Sequence, residues 1–154
     1  MVKAPAAGTA RVVAVKVLSV RPHSIEEVKE KLRNKGFLKD EVEAAVEYLT
    51  DIKLLDDRAF TKSWISYRLA RPCGFRRIYS ELIQKGVAKD IVTEAIEEVK
   101  LEYGEADVIL ELARRRWERL SGIDPQKRKK RVCDFLLRRG FSMDAVMKVL
   151  KKLC

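Results

Sequence analysis

Three stretches of the chain carry the same order of apolar and polar positions. KLRNKGFLKDEVEAAVEYL, ELIQKGVAKDIVTEAIEEV and FLLRRGFSMDAVMKVLKKL align without gaps on Gly36, Gly86 and Gly140, at spacings of 50 and 54 residues. After each glycine, apolar residues recur at Val42, Ala45, Val46 and Leu49, at Val92, Ala95, Ile96 and Val99, and at Val146, Val149, Leu150 and Leu153. Each set falls at i, i+3, i+4 and i+7, which puts it on one face of a helix. Before each glycine stands a basic residue (Lys35, Lys85, Arg139), and four before it a leucine (Leu32, Leu82, Leu136). A glycine here suits a helix that ends in a left-handed residue, with Phe37, Val87 or Phe141 folding back onto it. Asp40, Asp90 and Asp144 then meet the positive end of the next helix. A repeat of about 50 residues has room for three short helices.

The remaining boundaries follow from local signals. Arg21-Pro22 and Arg71-Pro72 precede the helix that ends at the glycine. Ser24-Ile25-Glu26-Glu27 reads as a capping box, Ser121-Gly122 as a stop, and Asp124-Pro125 as an N-cap followed by proline at the first helical position. The opening segment of the first repeat, with Val12, Val13, Val15, Val17, Leu18 and Val20, suits a strand by propensity alone. The matching segments at residues 60–67 and 108–113 are readily helical, so the repeat predicts a helix here too. The expected organisation is a disordered leader at 1–8, with Thr9 as cap, and repeats at 9–55, 56–104 and 105–154. The predicted class is all-α.

Composition agrees: apolar residues make up 47% of the chain and charged residues 36%, with only 7 Gly and 4 Pro. No apolar run reaches the roughly 20 residues needed to cross a bilayer. Cys73, Cys133 and Cys154 are widely spaced and odd in number, which points to reduced thiols in the cytoplasm. The one histidine, His23, excludes a multi-histidine metal site and reads as a surface or turn residue. No Walker-type phosphate loop is present, Asp56 and Asp57 read as helix caps, and no nucleophile has an activating base. The expectation is therefore no enzyme, no catalytic residue, no metal and no cofactor.

Charge changes the picture most. Of the formal +10, eight charges lie between Arg114 and Arg139, where Arg114, Arg115, Arg116, Arg119, Lys127, Arg128, Lys129, Lys130, Arg131, Arg138 and Arg139 face only Glu118, Asp124 and Asp134. Such a block attracts polyanions and gains from counterion release. Arg68, Arg71, Arg76 and Arg77 form a second set, able to pair with carboxylates or phosphates in bidentate fashion. These fifteen residues are the candidate partner-binding or DNA-binding set. Trp64, Tyr67, Phe75, Tyr79 and Trp117 lie at roughly helical spacing among apolar neighbours and read as core rather than as stacking platforms.

Taken in order, Leu54-Leu55-Asp56-Asp57-Arg58-Ala59-Phe60, Trp64, Tyr67-Arg68, Gly74, Arg77-Ile78, Glu81-Leu82, Lys85-Gly86-Val87 and Phe135-Leu136-Leu137-Arg138-Arg139-Gly140-Phe141-Ser142 resemble the RecX family. Phe75 departs from it, standing where the family often has proline. The resemblance implies a curved, elongated tandem array of three-helix, helix-turn-helix-like units. It further implies a regulator, an inhibitor by expectation, of the RecA recombinase in homologous recombination, DNA repair and the SOS response. Such a protein binds along the groove of the RecA–DNA filament, with DNA touching the basic face, and modulates ATPase and strand exchange. A monomer is expected. The alternative is a stand-alone helix-turn-helix nucleic-acid binder. Lys148, Lys151 and Lys152 favour it in the last helix, while Glu41, Glu43 and Glu47, and Glu94, Glu97 and Glu98, oppose it in the two matching helices.

Overall fold

The computed structural model describes residues 7–153. Among them are nine helices and no strand: α1 (Ala7–Val20), α2 (Ile25–Asn34), α3 (Lys39–Asp51), α4 (Asp57–Leu69), α5 (Phe75–Gln84), α6 (Lys89–Lys100), α7 (Glu105–Arg119), α8 (Pro125–Arg138) and α9 (Met143–Leu153). They form three three-helix repeats in tandem. Of the leader expected at 1–8, residues 1–6 lie outside the described residues. Ala7 and Gly8 belong to α1, so Thr9 sits inside that helix and does not cap it.

Two alanines explain why a valine-rich segment is helical. Ala10 and Ala14, one turn apart, are fully buried in the core that α1 shares with α2 and α3, whereas Val12, Val15 and Val20 stay exposed. Small side chains at these positions let the helices approach closely. Val28 and Leu32 of α2 and Val42, Ala45, Val46 and Leu49 of α3 complete that core, closed by Leu55. The third repeat uses Ile109 and Ala113 of α7 in the same way, with Val132 and Leu136, then Val146, Val149 and Leu150. In the middle repeat Phe60, Ile65, Ile78, Leu82, Val92, Ala95 and Ile96 are buried. Because Leu82 is fully buried, Leu82→Ala is expected to cost about 2 to 5 kcal/mol in urea denaturation. A loss under about 1 kcal/mol would remove Leu82 from the core.

Each second helix ends as the sequence predicts. Gly36, Gly86 and Gly140 have φ of 90°, 79° and 90°. The Phe37, Val87 and Phe141 amides reach back to the Leu32, Leu82 and Leu136 carbonyls at 3.2, 3.2 and 3.4 Å, the longer bond of a Schellman motif. Asp124 caps α8, accepting from the Gln126 and Lys127 amides at 3.1 Å each.

The chain divides into two compact units, Met1–Trp64 with Leu82–Val92 and Ile65–Glu81 with Thr93–Cys154, so the middle repeat contributes to both. Each unit contains one joint, in which the first turn of a second helix meets the glycine turn of the following repeat. In the first unit, buried Ser24 caps α2 through the Glu27 amide (3.1 Å), and its hydroxyl donates to the Lys85 carbonyl. The Ile25 amide donates to Asp57 Oδ1 at 2.8 Å. Glu27 accepts from the Ser24 amide (3.0 Å), pairs with Lys85 Nζ at 2.7 Å and with Arg21 at 3.3 Å. The Lys85 ammonium also sits 4.3 Å from the centre of the Trp64 ring.

The second unit repeats this plan with other residues. Gly74, 50 residues after Ser24, donates its amide to the Arg139 carbonyl at 2.7 Å. Glu105, at the start of α7 as Asp57 is of α4, accepts from the Phe75 amide. Burial pushes the Asp57 and Glu105 carboxyls up, against the pull of those amides. The ion pair is not repeated, because Arg77 takes the place of Glu27 and Arg139 that of Lys85. Arg77 turns to Glu81 (3.4 Å), and Arg139 donates to the Pro72 carbonyl (2.9 Å).

Three expectations are corrected. His23 lies in a turn but is 95% buried, its Nδ1 2.7 Å from the Arg21 carbonyl, and burial lowers its pKa. Only Asp56 caps α4, accepting from the Arg58 amide at 2.8 Å, because Asp57 serves the joint. Tyr67 is exposed rather than core, its phenol ring carried on the outer side of α4.

The Glu27 pair carries a pH dependence. Burial alone would raise this carboxyl, but hydrogen bonds from Lys85, Arg21 and the Ser24 amide outweigh it and bring the pKa to about 2, against an ordinary 4.5. A depressed folded pKa means stability present above about pH 4.5 and lost as pH falls towards 2. Up to about 3 kcal/mol is at stake in the first unit. Glu27→Gln should lower stability at pH 7 and flatten this arm of the stability-versus-pH curve; parallel curves for the two proteins would contradict the pairing.

Candidate partner-binding surface

All fifteen candidate residues fall in the second compact unit. The helices then sort them. On α8, Lys127, Arg131 and Arg138 follow at i, i+4 and i+11, with Lys130 beside them, which places all four along one exposed side. Asp134 shares that stripe at i+7. On α7, Arg114, Arg115 and Arg119 are exposed, and Arg115 pairs with Glu111 one turn earlier. For Arg76, Arg114, Arg119, Lys127, Lys130, Arg131 and Arg138, no carboxylate stands within ion-pair distance among the described residues.

Other members of the set hold the unit together. Arg128 stacks 4.1 Å from the Trp117 ring centre and donates Nε to the Trp117 carbonyl at 2.8 Å, with Nη2 on the same oxygen. It thereby adds a charged donor to a carbonyl at the end of α7 that also accepts from the Leu120 amide at 3.1 Å. Arg116 and Arg139 both lie over the Phe135 ring, at 5.2 and 4.8 Å. Arg68 Nε stands 2.9 Å from Glu81 Oε2, off the line of its N–H, so this contact is an ion pair more than a hydrogen bond. The Arg71 guanidinium lies 6.0 Å from the Tyr67 ring centre. Lys129 is half-buried on α8.

Arg76 and Arg77, in the first turn of α5, line an open groove of about 660 Å³ with Tyr79, Ser80, Thr93, Glu97, Lys100 and the Gly140 turn. Its cations outnumber its one carboxylate, and Glu97 is itself paired with Lys100 at 3.1 Å. Ser80, Thr93 and Lys100 were absent from the sequence-based set. Their signal was available in part, since Thr93 and Lys100 lie at i and i+7 on α6, but which face of α6 borders α5 is tertiary information. Among the described residues no three His, Cys, Asp or Glu side chains are placed to hold a metal, and no helix is long and apolar enough to cross a membrane.

Fold and surface together define a class: a tandem helical-repeat protein that carries a set of exposed cations. The chain belongs to the RecX family. The first, second and third three-helix domains of RecX match residues 10–49, 56–96 and 104–150. The regulatory protein RecX of Chlorobium limicola is 36% identical over 141 residues, covering 91% of this chain and 86% of that one. The regulatory protein RecX of Vibrio parahaemolyticus is 31% identical over 133 residues, covering 86% and 84%. The crystal structure of RecX from Lactobacillus salivarius superposes with a TM-score of 0.85 over 96% of both chains at 23% identity, which supports the fold. The family resemblance and the all-helical, three-repeat architecture read from the sequence are both borne out.

Proposed function

We propose that this protein regulates a RecA recombinase by binding along the groove of the RecA–DNA filament, as an inhibitor of ATP turnover and strand exchange. The observation that carries the reading is the exposed stripe Lys127, Lys130, Arg131 and Arg138 on α8, in a chain belonging to a family of regulatory proteins. A row of cations on a rigid helix meets phosphates or acidic protein patches without prior rearrangement. Arg76 and Arg77 in their groove, and Arg114 and Arg119 on α7, extend the basic surface. The protein acts as a cytoplasmic monomer.

The test titrates the protein into a RecA reaction that reports DNA-dependent ATPase and strand exchange, beside its binding to the same DNA alone. Inhibition at substoichiometric protein with weak binding to bare DNA supports the reading. Tight DNA binding, with no effect on RecA beyond competition for DNA, would favour a stand-alone nucleic-acid binder. That alternative draws on the exposed Lys148, Lys151 and Lys152 of α9. It is opposed by the acidic α3 and α6 at matching positions.

A further inference from the structure

Among the described residues the joint is made twice, but its receiving half exists three times. At the second and third repeats a helix start covers the turn: a Cβ on Gly86 would come 2.5 Å from Glu26 Cβ, and one on Gly140 2.5 Å from Arg77 Cβ. The first repeat has the same turn, with the same left-handed glycine and the same bond from the residue after it. There, no described atom lies within 4 Å of where a Cβ on Gly36 would stand. Beside the turn runs an open groove of about 480 Å³, whose walls include Val17, Val20, Arg21, His23, Lys31 and Lys35, and no carboxylate. Val20 is 82% exposed. Arg21 is balanced by Glu27, while Lys31 and Lys35 have no carboxylate partner among the described residues.

We propose that the Lys35–Gly36 turn is a docking socket for the first turn of an α-helix on a partner protein, one with a small N-cap residue, an apolar first residue and acids just after it. Each requirement is taken from the filled joints. The N-cap must be small, because Ser24 and Gly74 are wholly enclosed where they reach the turn carbonyl. The next position is apolar in both cases, Ile25 and Phe75. Acids follow because Lys35 stands where Lys85 stands, and Lys85 is met by Glu27. The first turn of α1 has no acid to play the part of Asp57 or Glu105. A partner helix with proline at its first position, which has no N–H to satisfy, therefore fits as well.

A second copy of this chain is the poorer occupant. The helix start it would offer, α8, has the exposed Lys127 three residues after its N-cap, where α2 has Glu27, so like charges would meet at Lys31 and Lys35. The socket differs from the basic stripe in place and chemistry, and its test needs no RecA, so the two readings fail separately.

The probe is a synthetic amidated peptide of this chain's own residues 22–34, which fills the joint at Gly86, added to the ¹⁵N-labelled full-length protein. Saturable amide shifts confined to His23, Lys35, Gly36 and Phe37 are expected. They should weaken about tenfold or more when the peptide carries Glu26→Lys and Glu27→Lys, and when the protein carries Lys35→Glu with unchanged circular dichroism. No shifts at millimolar peptide, equal shifts with the reversed peptide, or shifts centred on α8 would overturn the proposal. Concentration-dependent broadening without peptide would assign the socket to a second copy. Binding seen only after removal of residues 1–6 would assign it to the chain's own N-terminal segment.

Discussion

Gly74→Ala is expected to destabilise the second compact unit by about 3 kcal/mol or more, although it adds one methyl group. The added Cβ would land on the Gly140 carbonyl group and the Phe141 amide, which are backbone atoms of a turn fixed by its own hydrogen bonds. Neither side has a flexible end to move, so either the turn or the start of α5 must shift and the 2.7 Å bond from Gly74 to Arg139 is lost. Gly36→Ala is the control. It meets open space and carries only the cost of a left-handed alanine, about 1 to 2 kcal/mol. The units have separate reporters, since Trp64 lies in the first and Trp117 in the second. Urea denaturation should show about 3 kcal/mol or more lost for Gly74→Ala, followed through Trp117 in a Trp64→Phe background, and about 1 to 2 kcal/mol for Gly36→Ala, followed through Trp64 in a Trp117→Phe background. Equal losses for the two alanines would mean that Gly74 does not make this close approach.

What could be read from the chain in advance was what is written locally. The helix ends at Gly36, Gly86 and Gly140, the capping box at Ser24 and the stripe of Val42, Ala45, Val46 and Leu49 each depend on residues within about two turns of one another. The joints do not. Ser24 meets Lys85, and Gly74 meets Arg139, across 61 and 65 residues. Nothing in a helical period predicts which turn a helix start will face. A trace was nevertheless present, in small residues at 24 and 74 and acids at 57 and 105, and it becomes legible only when the repeats are compared outside their aligned cores. His23 illustrates the same limit: a polar residue beside a proline reads as surface, yet it is buried in the turn before α2.

The basic block shows a different limit, because counting charges does not say which of them face solvent. Arg128 and Arg139 contribute to the +8 as fully as Arg131 does. Their guanidinium groups are nonetheless held over aromatic rings and on backbone carbonyls. Arginine suits such places because its planar group stacks and donates at once, where lysine offers only a point charge. Part of the charge counted in the sequence is therefore structural, and the proposed binding surface is the smaller set left exposed on α5, α7 and α8.

Reversing Lys127, Lys130 and Arg131 together to Glu should lower affinity for the RecA–DNA filament about a hundredfold at low salt, on the order of 1 kcal/mol for each cation reversed. The helix should survive, since all three side chains are exposed. Salt dependence then tells which partner the stripe meets. If it lies against DNA, the slope of log affinity against log salt should become shallower by about 0.9 for each phosphate no longer neutralised. If it lies against acidic protein patches, affinity should fall with little change in that slope. Unchanged affinity at low salt would remove the stripe from the binding surface altogether. Arg128→Ala makes the necessary contrast: it removes the cap on the Trp117 carbonyl and the stack on its ring, so it should destabilise the second unit first and weaken binding only as a consequence. A variant series that included Arg128 among the reversals would confuse a loss of fold with a loss of binding, which is why the triple change is confined to side chains that the fold does not use.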